Sequence, residues 1–299
     1  MSLPRDHRTR RAIRAAPLLL ALAACAPRSA VHPRSAEEVR RGYAYLGAGD
    51  AERAEVAFEH ALAFDPDLPE ALNGAGIVAR TRERLAEARA AFERAIRCDP
   101  EFAEGHANLG ETLLAEGRAV AAERELVAAL RIDPDLGDAR QNLARALLRR
   151  GLDEPALRGD LWPRARRELL HLLEADPDRA AAHHDLGFLA YSDGRFGEAE
   201  RAYARASELA PGSKEALHGR CIALVRLGRC AEGARACERC LEVAPGAEAC
   251  RKSLRGATAC ADVTASDAAS RAKTNGPAPR GAGPDRRGGG APPSSSAPP

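Results

Sequence analysis

The chain has 299 residues and a formal net charge of +2, with 45% hydrophobic and 29% charged side chains, a globular composition. Only 4% of it is aromatic, which excludes a core filled by large rings. Ala, Leu, Arg and Glu dominate, and the hydrophobic residues recur at helical rather than alternating spacing, so an all-α protein is predicted.

The first element is an export signal over 1–24. Arg5, Arg8, Arg10, Arg11 and Arg14 form a basic flank, followed by the apolar run Ala15 to Ala24. That run is too short to cross a bilayer as a helix and suits the apolar part of a signal peptide. It ends in Leu22-Ala23-Ala24-Cys25, which resembles the lipobox of bacterial lipoproteins. The resemblance implies cleavage before Cys25, lipid on the Cys25 sulfur and a membrane anchor. It places the folded part in the periplasm, and Ala26, where Asp favours inner-membrane retention, implies the outer membrane. A cleaved signal with an accidental cysteine, or a stray apolar run in a cytosolic chain, is the alternative. Removing 1–24 takes away five arginines and one aspartate, leaving 40 basic and 42 acidic residues, a net charge of about −2. No basic footprint for nucleic acid remains. Residues 25–35, with Pro27 and Pro33, read as a lipidated tether.

From about 36 to 260 the chain repeats. Asp-Pro or Ala-Pro punctuation falls at Pro66, Pro100, Pro134, Pro177, Pro211 and Pro245, and four of the five intervals are 34 residues. A small or apolar residue recurs at position 8 (Gly42, Gly76, Gly110, Ala144, Gly187, Cys221) and at position 20 (Ala54, Ala88, Ala122, Ala165, Ala199, Gly233). Position 24 holds Phe58, Phe92, Leu126, Leu169, Tyr203 and Cys237; position 27 holds Ala61, Ala95, Ala129, Leu172, Ala206 and Cys240. Period and pattern resemble the tetratricopeptide repeat (TPR). The resemblance implies a right-handed solenoid of about six repeats, each a hairpin of helices A and B, plus a C-terminal capping helix. Small residues at 8, 20 and 27 let the two helices approach, the bulky residue at 24 fills the seam to the next repeat, and the proline stops helix B.

Repeat 4 runs 43 residues between its prolines because of an insertion at about 153–162, with Pro155, Gly159 and the chain's one tryptophan, Trp162, followed by Pro163. Either a protruding loop presents Trp162 as an aromatic anchor, or Trp162 folds back over the hairpin end. The tail, 261–299, is rich in Pro, Gly, Ser and Ala and is expected to be disordered.

Cys98 stands apart at the end of a helix B, and six cysteines cluster late in the chain: Cys221, Cys230, Cys237, Cys240, Cys250 and Cys260. An oxidising compartment favours disulfides, and six thiols allow fifteen connectivities. Facing residues of an antiparallel helix pair lie equally far from the turn. Cys240 and Cys250, each five residues from Pro245, are therefore expected to meet, as are Cys230 and Cys260 at fifteen if the last helix reaches that far; Cys221 then faces Cys237. Cys237-Glu238-Arg239-Cys240 also spells a C-x-x-C, but it lies mid-helix, without the helix N-terminus that activates a redox thiol.

No HExxH, phosphate-binding glycine loop or nucleophile elbow occurs, and adjacent His183 and His184 point about 100° apart on a helix, so no metal site, cofactor or small-molecule substrate is expected and the chain is not read as an enzyme. In resembling TPRs positions 2, 5, 9 and 12 of helix A line the concave groove. Positions 9 and 12 here are Tyr43 and Leu46, Ile77 and Arg80, Glu111 and Leu114, Arg145 and Leu148, Phe188 and Tyr191, Ile222 and Val225, an apolar strip edged by charge for a protein partner. The Lys and Asn clamp of chaperone-binding TPRs is missing, since Val39 and Tyr43 hold its places in repeat 1. A lipobox followed by about six repeats resembles the type IV pilus pilotins, lipoproteins that help the outer-membrane secretin assemble, which implies a secretin subunit as partner. The alternatives are a generic TPR envelope scaffold for cell-wall or outer-membrane assembly, or a regulatory TPR partner of an envelope enzyme.

Overall fold

In a computed structural model the described residues, 31–274, are helical throughout except for short turns. They fall into two compact units that divide between Pro177 and Asp178.

The first unit holds repeats 1 to 4 as antiparallel A and B helices: α1 (Pro33–Gly47) with α2 (Ala51–Phe64), α3 (Pro69–Thr81) with α4 (Leu85–Cys98), α5 (Ala103–Ala115) with α6 (Ala119–Ile132), and α7 (Gly137–Asp153) with α8 (Arg158–Ala175). Cys25 and residues 26–30 of the tether lie outside the described residues. The last tether residues, 33–35, belong instead to α1: Pro33 has the fixed φ that suits a first helical turn, and His32 Nδ1 accepts the Arg34 N–H at 3.2 Å.

The seam follows from the repeat. Position 20 of each hairpin in this unit, Ala54, Ala88, Ala122 and Ala165, is fully buried, as are the position-24 residues Phe58, Phe92, Leu126 and Leu169. Gly42 and Gly76 are obligatory beneath the rings: an added Cβ would stand 2.6 Å from Phe58 and 2.5 Å from Phe92, inside van der Waals contact. Charged side chains cross from hairpin to hairpin above this core. Glu123 of α6 accepts Arg150 of α7 and, at 2.9 Å, Arg164 of α8.

The insertion in repeat 4 is not a protruding loop. It lengthens both helices, α7 to 17 residues and α8 to 18, against 13 for α5 and 14 for α6, with a single 3₁₀ turn at Pro155–Leu157 between them. Pro163 lies inside α8, where the bond it cannot donate would have gone to exposed Gly159, whose carbonyl water can satisfy. Trp162 is 5% exposed, its Nε1 donates to the Leu148 carbonyl at 3.4 Å, and the Arg158 guanidinium covers its ring at 4.5 Å. It folds back into the hairpin and presents no anchor. At the corresponding turn position of repeats 1 and 3, Gly49 and Gly117 take φ of 74° and 76°, and in repeat 2 Glu83 is forced to φ 60°. Gly151 occupies that place in repeat 4 inside the continuing helix, where a Cβ would stand 2.4 Å from Trp162 Nε1. The same glycine position serves a turn in one hairpin and close packing in the other.

The second unit holds α9 (Ala180–Ser192) with α10 (Phe196–Leu209), α11 (Lys214–Arg226) with α12 (Cys230–Val243), and the capping helix α13 (Glu248–Thr274), which packs on α12 and α11. Tyr203 is its seam residue, 3% exposed and seated on Gly187 and Gly219. The helix α13 continues to Thr274, so the expected boundary of a disordered tail at 261 does not hold for 261–274, an alanine-rich stretch without proline; 275–299 lie outside the described residues.

Candidate protein-binding groove

Within each unit consecutive A helices lie side by side, α1 with α3, α3 with α5 and α5 with α7, then α9 with α11 and α11 with α13. Positions 9 and 12 of neighbouring repeats are thereby brought onto a shared face.

The twelve sequence-derived groove residues differ in what they offer. Tyr43 and Arg145 are exposed; Leu46, Ile77, Arg80, Glu111, Leu114, Phe188, Tyr191, Ile222 and Val225 are half-buried. Leu148, at 6% exposure, is a core residue, because the lengthened repeat-4 hairpin folds over it. Leu46 packs against the Ala54–Phe58–Val78 cluster, and Tyr191 against Ala190, Ala199, Tyr203 and Ala223, so both are shared between groove and core. Arg80 and Glu111 bind each other across α3 and α5 and are not free charges at the rim.

Repeat 1 also carries a polar line that the apolar reading of the groove overlooked. The Tyr43 hydroxyl donates to the Glu70 carbonyl at 3.1 Å and accepts from Asn73 Nδ2 at 3.0 Å, and Asn73 Oδ1 accepts from Asn108 Nδ2 at 2.9 Å. These bonds tie α1, α3 and α5 together along one face. The Tyr43 side chain as a whole is 37% exposed, but desolvation at its hydroxyl end, then the charges of Glu70 and Glu104, push the phenol up against the opposing Asn73 hydrogen bond. The available signal was positional: Glu70 and Glu104 stand at position 2, and Asn73 at position 5, of their repeats. In the second unit the guanidinium of Arg226 lies 4.2 Å over the Phe196 ring and 6.0 Å from Tyr191, closing the edge of α9 with an aromatic contact.

The terminal hairpin is cross-linked. Cys221 is joined to Cys237, Cys230 to Cys260 and Cys240 to Cys250, with Cα separations of 5.3, 5.7 and 6.3 Å, all within ordinary disulfide reach. These are the pairs that equal spacing about the turns had led us to expect. Cys237 and Cys240 are bonded to different helices, so the C-x-x-C is neither a dithiol nor an internal disulfide. Cys98 is also disulfide-bonded, and no described cysteine is a free thiol. Among the described residues no three His, Cys, Asp or Glu side chains converge as metal ligands, and no helix is long and apolar enough to cross a membrane.

Against known families, residues 39–102, 83–137 and 156–214 match the tetratricopeptide repeat, together more than half of the chain. The chain belongs to the tetratricopeptide repeat family. This TPR protein is a helical protein-binding scaffold in type, and no enzyme family is identified in it. A sequence comparison with curated proteins finds no match. Among solved structures the TPR array is similar to PilF of Pseudomonas aeruginosa, with 18% identity and a TM-score of 0.62 over 73% of this chain and 96% of that one. It is similar to PilW, a widely conserved type IV pilus biogenesis factor, with 19% identity and a TM-score of 0.64 over 75% and 99% of the two chains. It is equally similar to a chain of the APC/C assembly Cut9–Hcn1, with 14% identity and a TM-score of 0.66, over 75% of this chain and 43% of that one. At these identities the likeness is one of fold.

Proposed function

We propose that this TPR protein is a lipid-anchored scaffold on the periplasmic face of the outer membrane that holds an apolar segment of an unassembled secretin subunit during type IV pilus biogenesis. The observation that carries the reading is the row of half-buried apolar side chains at positions 9 and 12 of neighbouring A helices, Ile77 and Leu114 in one unit and Phe188, Tyr191 and Ile222 in the other. Side chains left half-covered on a shared face retain apolar area for a partner to bury. The pilus assignment is supported by the likeness to PilW over nearly its whole length and by the Leu22-Ala23-Ala24-Cys25 box ahead of the repeats. The comparable likeness to Cut9–Hcn1 favours a second reading, a general envelope scaffold whose partner is another protein altogether.

Deleting the gene and following secretin multimers as heat-resistant bands on a gel separates the two. Loss of multimers is expected, and unchanged multimers overturn the pilotin reading in favour of whichever protein co-purifies. Replacing Ile77 and Leu114 together by Ala should reduce multimers without unfolding the protein. Cys25→Ala should release the protein from membranes; retention there counts against the anchor. The intact mass of the purified N-terminal peptide, with or without acylglycerol, reports the chemistry at Cys25 directly.

A further inference from the structure

Many carboxylates of the first unit are clasped by arginine: Glu55 by Arg82 and Arg84, Glu116 by Arg89 and Arg118, Glu123 by Arg150 and Arg164. Glu70 and Glu104 differ. Each stands in the first turn of an A helix, α3 and α5, and among the described residues neither carboxylate has an ion-pair or hydrogen-bond partner. Glu104 is exposed, while Glu70 is half-buried with its Oε2 atom enclosed and unsatisfied. Both charges act on the Tyr43 hydroxyl, which is already fixed by the Glu70 carbonyl and Asn73. The groove therefore has a negative corner on the flank of Leu46, Ile77 and Leu114. The cations farther along it do not reach this corner as free charges, since Arg80 is bound to Glu111 and Arg145 is engaged elsewhere.

Resting on the protein-binding reading of this face, we infer that the groove built by α1, α3 and α5 selects a segment of another protein that carries a lysine or arginine next to its apolar residues, with the cation seated between Glu70 and Glu104 beside Tyr43. Neither carboxylate is neutralised by a cation among the described residues, so a ligand's ammonium or guanidinium meets there two acceptors with their charge-assisted bonds still to make, at the exposed Glu104 and at the accessible side of half-buried Glu70. The same two charges repel an acidic segment, so the corner supplies discrimination as well as attraction, while the apolar strip supplies contact area.

The test uses the purified full-length protein in mild detergent and fluorescein-labelled twelve-residue peptides that share four leucines in varied spacing and carry Lys, Gln or Glu at one central position. The Lys peptide should bind about three- to tenfold more tightly than its Gln partner, and the Glu peptide more weakly than either. The Lys advantage should shrink in about 1 M salt, where the screening length falls to about 3 Å. Glu104→Gln, at an exposed position that folding tolerates, should lower the Lys advantage and leave the Gln peptide unchanged; adding Glu70→Gln should abolish it, and Glu104→Lys should turn the preference toward the Glu peptide. Equal binding of Lys and Gln peptides by the unaltered protein overturns the charge selection and leaves the groove standing. Failure of all three peptides to bind overturns the groove itself.

Discussion

In repeats 1, 2 and 3 a glycine at position 8 of helix A receives a bulky side chain from position 24 of helix B: Gly42 with Phe58, Gly76 with Phe92, Gly110 with Leu126. In repeat 6 the same two positions hold Cys221 and Cys237, joined by a disulfide. The early hairpins are closed by burying a large group against a backbone with no side chain in the way, which requires a further hairpin to cover the ring's other side; Phe58, for example, also lies against Gly74 of α3. The last hairpin has only the capping helix beyond it, and a covalent bond holds where packing would be incomplete. A repeat position thus specifies a contact, and the chemistry of the contact follows how much neighbour is available.

The largest effects should come from the early seam. Phe92→Ala removes a fully buried ring and should cost about 3–5 kcal/mol, read as a lowered urea midpoint with hydrogen exchange rising first in α3 and α4. Equal exchange in both units after this change would mean that the hairpins do not depend on their seams individually. Replacing Cys221 and Cys237 by Ala should cost about 2–4 kcal/mol, with exchange rising in α11 to α13 and the first unit unmoved; the loop of 16 residues sets that scale. A smaller change of opposite sign is expected at the repeat-2 turn. Glu83→Gly relieves a left-handed residue at the position that Gly49 and Gly117 hold in repeats 1 and 3, and should raise the thermal midpoint by the equivalent of about 1 kcal/mol.

Two histidines sharpen the contrast through pH. His106 of α5 is held by Glu125 at 2.8 Å and by the Pro100 carbonyl at 3.2 Å, and the Glu125 hydrogen bond, opposed by burial, raises its pKa above 6.5. Its contribution to stability is complete below pH 6.5 and is lost as pH rises through the folded value. His218 of α11, against Ser253 of α13 at 3.0 Å, is shifted the other way by burial. Its contribution is present above pH 6.5 and lost as pH falls through the folded value. Titration of the ring protons by NMR should place His106 above and His218 below 6.5, and a shared midpoint would contradict both local environments. The least effect is expected at the exposed Arg40–Glu37 pair, where Arg40→Ala should change stability by less than about 0.5 kcal/mol.

Much of this architecture was legible from residues taken singly. Alanines at position 20 and the aromatic or leucine residues at 24 are buried because a 34-residue period places them on the inward face of every hairpin, whatever the sequence between. The groove positions came from the resemblance to TPRs, and the structure leaves Ile77 and Leu114 among them half-buried. Repeat 4 was left open at its insertion between a protruding loop and a folded-back Trp162, since Pro155, Gly159 and Pro163 are loop-forming residues in isolation. Near the start of a helix that a neighbouring hairpin supports they are tolerated, and burial of Trp162 against Gly151 favours helix over loop. Leu148 changed from groove to core for the same reason.

By itself, then, the sequence determined the number and period of the helices and their inward residues, because each depends only on distance along the chain from a turn; it made the late-cysteine pairs an expectation, which the reach of α13 past Cys260 decided. The tertiary structure decided which groove side chains keep exposed area, that Arg80 and Glu111 neutralise each other, and that Glu70 and Glu104 flank Tyr43 unpaired. Those outcomes depend on contacts between residues about thirty apart, where a helix spacing of a few ångströms determines whether two charges meet.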